Sequence, residues 1–148
     1  METKHANYIQ LSAAFGGILG FFAPFWWSLW LPLLLWLAGP KSEFNDWHGR
    51  EAVRWQLVTT AYMLLAVVLA FVFLVGGMVI AGSGNAPEFG TLFGGGGFIG
   101  GLFLAVPVFV VQTVMPFVAS SHARKGEWYV YPFVFSPRRR QNRAPIAA

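Results

Sequence analysis

Charge is missing over most of this chain. No charged residue stands between His5 and Lys41, and further uncharged runs go from Trp55 to Pro87 and from Phe89 to His122. A spanning helix needs about 20 apolar residues at a rise of about 1.5 Å each. The second and third runs are each long enough. In hydrocarbon the backbone amides have no water to bond, so such a run must seal them internally, as a helix does. Composition agrees: hydrophobic residues make up 56% and charged ones 11%, against about 25% charged in soluble domains. A chain of 148 residues has too much surface for its volume to hide this apolar excess in its own core. The expected fold is all-α, an integral membrane helical bundle with three to four transmembrane or membrane-embedded helices. It is read as one domain over 1–136, followed by a basic cytoplasmic tail over 137–148.

The first run is too short for two full spans and longer than one needs. Tyr8, Leu11, Phe15, Ile18 and Phe22 recur at helical steps, while Asn7, Gln10, Ala14 and Gly17 lie off that stripe. Pro24 interrupts, and Pro32 stands inside the next apolar stretch. Two short helices forming a hairpin, or an interfacial helix followed by one span, fit this pattern; a single tilted span is the third arrangement. A secretory signal fits poorly, because the apolar run is far longer than a signal core.

Lysine and arginine are unevenly placed. Lys41, Arg50 and Arg54 lie in segment 39–56, and the connection near 82–90 carries only Glu88. Arg124, Lys125, Arg138, Arg139, Arg140 and Arg143 follow the last run. The positive-inside rule places 39–56 and the C-terminus in the cytoplasm of a multi-pass membrane protein. The side of the N-terminus stays open. Arg138, Arg139, Arg140 and Arg143 can also attract anionic lipid heads. Nucleic acid is not an expected partner, since no recognition motif accompanies the net charge of +4.

In segment 39–56, Gly39 and Pro40 stop a helix, and Asn45 or Asp46 can cap the next one. Asp46 and Arg50 are four apart and can pair. Trp47 and Trp55 suit a membrane interface. His48, Glu51 and Trp55 share another face. A proton-transfer or ligand pair at His48 and Glu51 would need a third group and a pocket, so the simpler reading is a hydrogen-bonded pair anchoring the helix to the C-terminal segment. Absence of cysteine removes disulfides, thiolate metal sites and thiol nucleophiles.

Gln112 stands two to three turns inside the last run and should face other helices rather than lipid. It is read either as an interhelical hydrogen bond or as the lining of a solute path with Thr59. Gly96 with Gly100, and Gly97 with Gly101, match the small-xxx-small pattern of close helix packing. Pro107 and Pro116 should bend the last span.

Two motifs carry a resemblance. Phe44, Asp46, Trp47, His48, Gly49, Ala52, Trp55 and Gln56, with Glu51 and Arg54 between them, follow the pattern aromatic-x-Asp-aromatic-His-Gly-x-x-Ala-x-x-aromatic-Gln. Ala123, Lys125, Gly126, Glu127, Tyr129, Tyr131 and Pro132 follow Ala-x-Lys-Gly-Glu-x-Tyr-x-Tyr-Pro. Over roughly residues 6–134 the chain resembles the Tic-twenty-like family of small bacterial membrane proteins of unknown function. That family is related to a chloroplast inner-envelope import component and to magnetosome membrane proteins. The resemblance implies three or four transmembrane helices, no cofactor, and motif residues whose role is unknown. The tryptophan-rich first half, the glycine run and the basic tail depart from the pattern. Gly126 suits a turn of positive φ at a helix end, after which Tyr129, Tyr131 and Phe133 can lie back along the interface. His48, Glu51 and Arg54 are then expected to meet the segment from Lys125 to Tyr131.

Three functions follow as expectations. The first is a non-enzymatic accessory subunit, scaffold or assembly factor that packs against other membrane proteins or itself. The second is a component of a translocation or transport system. The third is an interfacial membrane enzyme, for which only His48, Glu51 and Glu127 are candidate groups.

Overall fold

The structure is a computed structural model that describes residues 2–22, 26–84 and 87–132. It consists of four helices, α1 (Glu2–Phe22), α2 (Trp26–Ala38), α3 (Glu43–Gly82) and α4 (Pro87–Arg124). Pro24, Phe133 and the arginines at 138–143 lie outside the described residues. With 40 and 38 residues, α3 and α4 are each close to 60 Å long, about twice the hydrocarbon thickness. These two are long and apolar enough to cross a membrane. The chain divides into two compact units, Met1–Thr59 with Val111–Ala148, and Thr60–Val110.

In the first unit, the uncharged N-terminal run forms two helices. The His5 ring donates from Nε2 to the Leu35 carbonyl at 2.9 Å, tying the start of α1 to the end of α2. Trp36 of α2 lies flat against Gly49 of α3, where a Cβ would come within 2.2 Å of the indole. Its Nε1 donates to Asp46 Oδ1 at 3.0 Å. Gly49 is therefore a gap in α3 shaped by the indole. The helix is capped one turn earlier than expected: Ser42, rather than Asn45 or Asp46, accepts the Asn45 amide on its Oγ and the Asp46 amide on its carbonyl. Asn45 instead turns its side-chain amide back to the Pro40 carbonyl. Asp46 and Arg50 pair as their spacing indicates.

Helix α1 presents its faces in the reverse of a soluble amphipathic helix. Ala6, Ile9, Gln10, Ala13 and Ala14 are buried, whereas Tyr8, Phe15 and Leu19 are exposed. Small residues let helices approach, and acyl chains accept large apolar side chains as readily as a protein core does. Of the apolar stripe read from the sequence, Tyr8 and Phe15 thus face outward and Leu11 and Ile18 are half-buried, while the off-stripe Gln10, Ala14 and Gly17 make the contacts.

The second unit is an α3–α4 hairpin held by glycine. A Cβ at Gly77 would stand 2.3 Å from Gly94 Cα, and one at Gly90 would stand 2.3 Å from the Ala81 nitrogen. Gly97 lies against Phe73 and Gly101 against Ala70. Gly96 and Gly100 have nothing within 4 Å, so only one of the two small-xxx-small pairs meets α3. Gly84 takes φ 74° at the end of α3. Helix α4 continues through Pro107 and Pro116. The outer faces of the hairpin are Leu, Val and Phe, from Leu64 and Phe71 on α3 to Phe103 and Val106 on α4.

Replacing Gly77 by leucine should wedge the hairpin apart and cost about 1–3 kcal/mol, as overpacking does. Leucine at Gly96 should cost little. Thermal unfolding of both variants in detergent, followed by circular dichroism, measures the difference.

Candidate functional site

The first unit encloses a set of buried polar groups. It is assembled where α1, the first turns of α3 and the segment after α4 meet. Helix α4 ends because Gly126 adopts φ 74°. The Glu127 amide bonds the His122 carbonyl at 3.0 Å and the Gly126 amide bonds the Ala123 carbonyl at 3.1 Å. This paired pattern is the Schellman termination, and it needs a residue that tolerates the left-handed region. The chain then turns back along α3 as an irregular strap over Glu127–Pro132.

Three groups of α3 hold the strap. His48 meets the Glu127 carbonyl from Nε2 at 3.2 Å. Trp47 Nε1 donates to the Tyr129 carbonyl at 3.0 Å. Trp55 stacks on Tyr131 with ring centroids 4.7 Å apart. Trp128 inserts edge-on against Phe44 and Trp47. Tyr129 reaches the Met115 sulfur with its hydroxyl. Trp55 and Tyr131, with Ala119, form one core of buried residues, and Phe44, Ala6 and Ala123 form another.

Gln10 of α1 joins these parts. Its amide nitrogen donates to the His48 carbonyl at 3.1 Å and faces His48 Nδ1 at 3.0 Å. Its carbonyl oxygen accepts the Tyr131 hydroxyl. An amide N–H can only donate, so Nδ1 is the acceptor and Nε2 carries the proton toward Glu127. His48 is thereby a neutral imidazole of one tautomer, and it is fully buried. Burial first, then the neighbouring Tyr129 and Glu51, push the Tyr131 phenol well above its ordinary range. It remains a hydrogen-bond donor to Gln10 at any physiological pH.

A second bridge lies about two turns further along α3, at Gln56. The Gln56 amide donates to the Ala13 carbonyl of α1 at 2.6 Å. Its oxygen accepts the Gln112 amide of α4 at 3.1 Å. Trp55 Nε1 donates to the Gln112 carbonyl at 3.4 Å. Gln56 thus ties α1, α3 and α4 together. Gly17 keeps α1 close to Gln112, since a Cβ there would sit 3.4 Å from Gln112 Cγ. Near the top of α4, Ser120 donates to Asn7 of α1 at 2.5 Å.

The ionic pairs are local. Glu51, 1% exposed, takes Arg54 on one oxygen at 3.1 Å, and its other oxygen has no hydrogen-bond partner among the described residues. Glu127 pairs with His122. The expected meeting of α3 with the C-terminal segment is therefore made by His48, Trp47 and Trp55 through ring and backbone contacts, not by Glu51 or Arg54 pairing with Lys125 or Glu127. Lys125 is exposed and Pro132 closes the strap. Among the described residues no group of three or more His, Asp or Glu could hold a metal ion. Gln10 and Asn7 escaped sequence reasoning as bridging residues. Their one signal was polarity on the face of α1 opposite its aromatic stripe.

Two helices long and apolar enough to cross a bilayer, with buried polar groups in the first unit held by amides and aromatic N–H groups, define a small helical membrane protein. The chain matches, over residues 4–137, the profile of the magnetosome magnetite crystal formation protein family, and it belongs to that family. Among the kinships suggested by the two motifs, the magnetosome one is the one this profile carries. No curated protein and no solved structure matches the chain.

The Gln56–Gln112 bridge should be measurable by a double-mutant cycle. Gln56→Leu and Gln112→Leu should each cost about 1–2 kcal/mol. The double variant should cost less than their sum, because the second substitution removes a group already left unpaired. Denaturation in mixed micelles reads all four corners.

Proposed function

We propose that this chain is a non-enzymatic structural component of the magnetosome membrane, an accessory subunit or scaffold that packs against partner membrane proteins or against itself. Family membership supplies the setting. The observation that carries the role is how the intramembrane polar groups are used. The side-chain nitrogens of Gln10, Gln56 and Gln112 are all spent on partners within the chain. Thr59, the other candidate for a solute path, is buried and donates to the Trp55 carbonyl. Polar groups committed in this way favour a rigid body over a conduit.

Charge placement supports an orientation with segment 39–56 and the C-terminus in the cytoplasm. In that orientation the connection near 82–90 faces the vesicle interior, and it offers one carboxylate, Glu88. A surface with a single anionic ligand is a weak template for an iron mineral. The protein would then influence crystal formation through the membrane and its neighbours. The arginines at 138–143 add attraction to anionic lipid heads on the cytoplasmic side.

A Gln112→Cys variant tests this reading against transport. In membranes, a water-soluble maleimide should leave the thiol unmodified, since the position is buried among helices. Rapid modification would mark a water-filled path and reject the scaffold. Photocrosslinkers placed at exposed Ile99 or Phe103 should capture a membrane protein, whereas capture of lipid alone counts against a packing role.

A further inference from the structure

The strap over Glu127–Pro132 is held to α1 and α3 by side chains. Its carbonyls at Glu127 and Tyr129 are bonded by His48 and Trp47. Its Tyr131 ring lies on Trp55, with the hydroxyl on Gln10. Trp55 and Ala119 are buried in the same cluster as Tyr131. Of the groups on α1 and α3 that grip the strap, His48 alone can change its charge within the range where imidazole titrates.

Both ring nitrogens of His48 are committed. Nε2–H points at the Glu127 carbonyl, and Nδ1 accepts the Gln10 amide. The Phe44 ring stands edge-on, with centroids 4.5 Å apart. A second proton, on Nδ1, would set N–H against N–H. Turning the Gln10 amide over would offer an oxygen instead. It would also take the donor from the His48 carbonyl and the acceptor from the Tyr131 hydroxyl. The neighbouring charges give no relief. On the next turn of α3, Glu51 pairs with Arg54. On the strap, the Glu127 carboxylate pairs with His122 of α4, and burial keeps the Tyr129 and Tyr131 phenols protonated. From α1 the group facing the ring is Gln10, which is uncharged. An imidazolium at this place is a buried charge with no carboxylate bonded to it among the described residues, which folded structure tolerates poorly.

We propose that His48 makes the strap a latch that acid opens: the strap lies on α3 while the ring is neutral, and it lifts away, hinged at Gly126, when the ring takes a second proton. His48 stands in the charged segment that precedes the uncharged run from Trp55. Burial pushes its ring from 6.5 down to about 4; the bond to the Glu127 carbonyl works the other way, and the nearby His122 adds to the fall. A ring freed by release regains the ordinary value of about 6.5. Between these values the released form binds a proton that the latched form lacks. Latching is therefore undiminished above about pH 6.5 and weakens about tenfold per pH unit below it, until it levels off near pH 4. Release uncovers Trp55 and Ala119 and takes from Gln10 its tyrosine donor. The latch does not depend on a scaffold role.

The chain contains no cysteine, so a spin label on Val130→Cys reports the strap alone. The full-length protein is labelled at pH 7.5 in detergent micelles, and its spectrum is followed as the pH is lowered. It is measured in the otherwise native chain and with Trp47→Phe, which loses one bond to the strap and so raises the released fraction. The ratio of mobile to immobile label should stay constant from pH 7.5 to 6.5. It should then rise about tenfold between pH 6.5 and 5. Gln10→Glu gives the protonated ring a carboxylate at Nδ1 and should hold the label immobile down to pH 5. Glu127→Gln removes the carboxylate that pairs with His122 and should leave the rise in place. A ratio that stays flat from pH 6.5 to 5 in both backgrounds overturns the latch. An equal rise in the Gln10→Glu variant also overturns it, since a group other than His48 then triggers release.

Discussion

Without water, a polar group in or near the bilayer must find its partner within the protein, and that demand organises the first unit. Gln10 is the clearest case. Its amide bonds the His48 carbonyl, and its oxygen accepts the Tyr131 hydroxyl. The N-terminal helix, the start of α3 and the end of the described chain are thus held by one side chain. Each partner is buried, so losing any one leaves another unpaired in a low-dielectric interior, where the desolvation cost is not recovered. Gln56 repeats the device further along, between α1 and α4.

The apolar residues are arranged by the same solvent. In water, the large apolar residues Tyr8, Phe15 and Leu19 would be the ones to bury. Here these side chains are exposed, and Ala6, Ala13 and Ala14 make the contacts. The α3–α4 hairpin takes this further, with Gly77 against Gly94 and Gly90 against Ala81. Association between helices in lipid gains little from hiding apolar surface. It gains from close approach, which small residues allow. A protein built this way agrees with the structural role proposed for this member of the magnetosome magnetite crystal formation protein family.

Legibility differed sharply between elements. The uncharged runs showed where α3 and α4 lie, because length and apolarity are local properties. Gly126 was legible as a helix stop for the same reason, since only glycine readily takes its positive φ. The spacing of Asp46 and Arg50 showed their pairing. That His48 meets the segment from Lys125 to Tyr131 was legible through the two motifs, and it does so at the Glu127 carbonyl. Its other partner, Gln10 of α1, was not legible, because nothing near position 48 specifies a residue 38 positions away. Nor did the glycine pattern tell which face of α4 meets α3. Gly96 and Gly100 match the same pattern as Gly97 and Gly101, and only the latter pair has neighbours. Ser42 was overlooked as a cap because Asn45 and Asp46 are equally good capping residues, and the choice depends on where Pro40 leaves the chain.

By itself, the sequence determined the solvent, the helical class and the basic end of the molecule, because hydropathy, length and charge act without regard to tertiary partners. Tertiary structure decided which polar groups share a proton, which glycines are indispensable and that the N-terminal run folds back on itself. Those outcomes depend on distances between residues remote in the chain. Several pairings are compatible with the same local preferences, and only the packed arrangement selects among them.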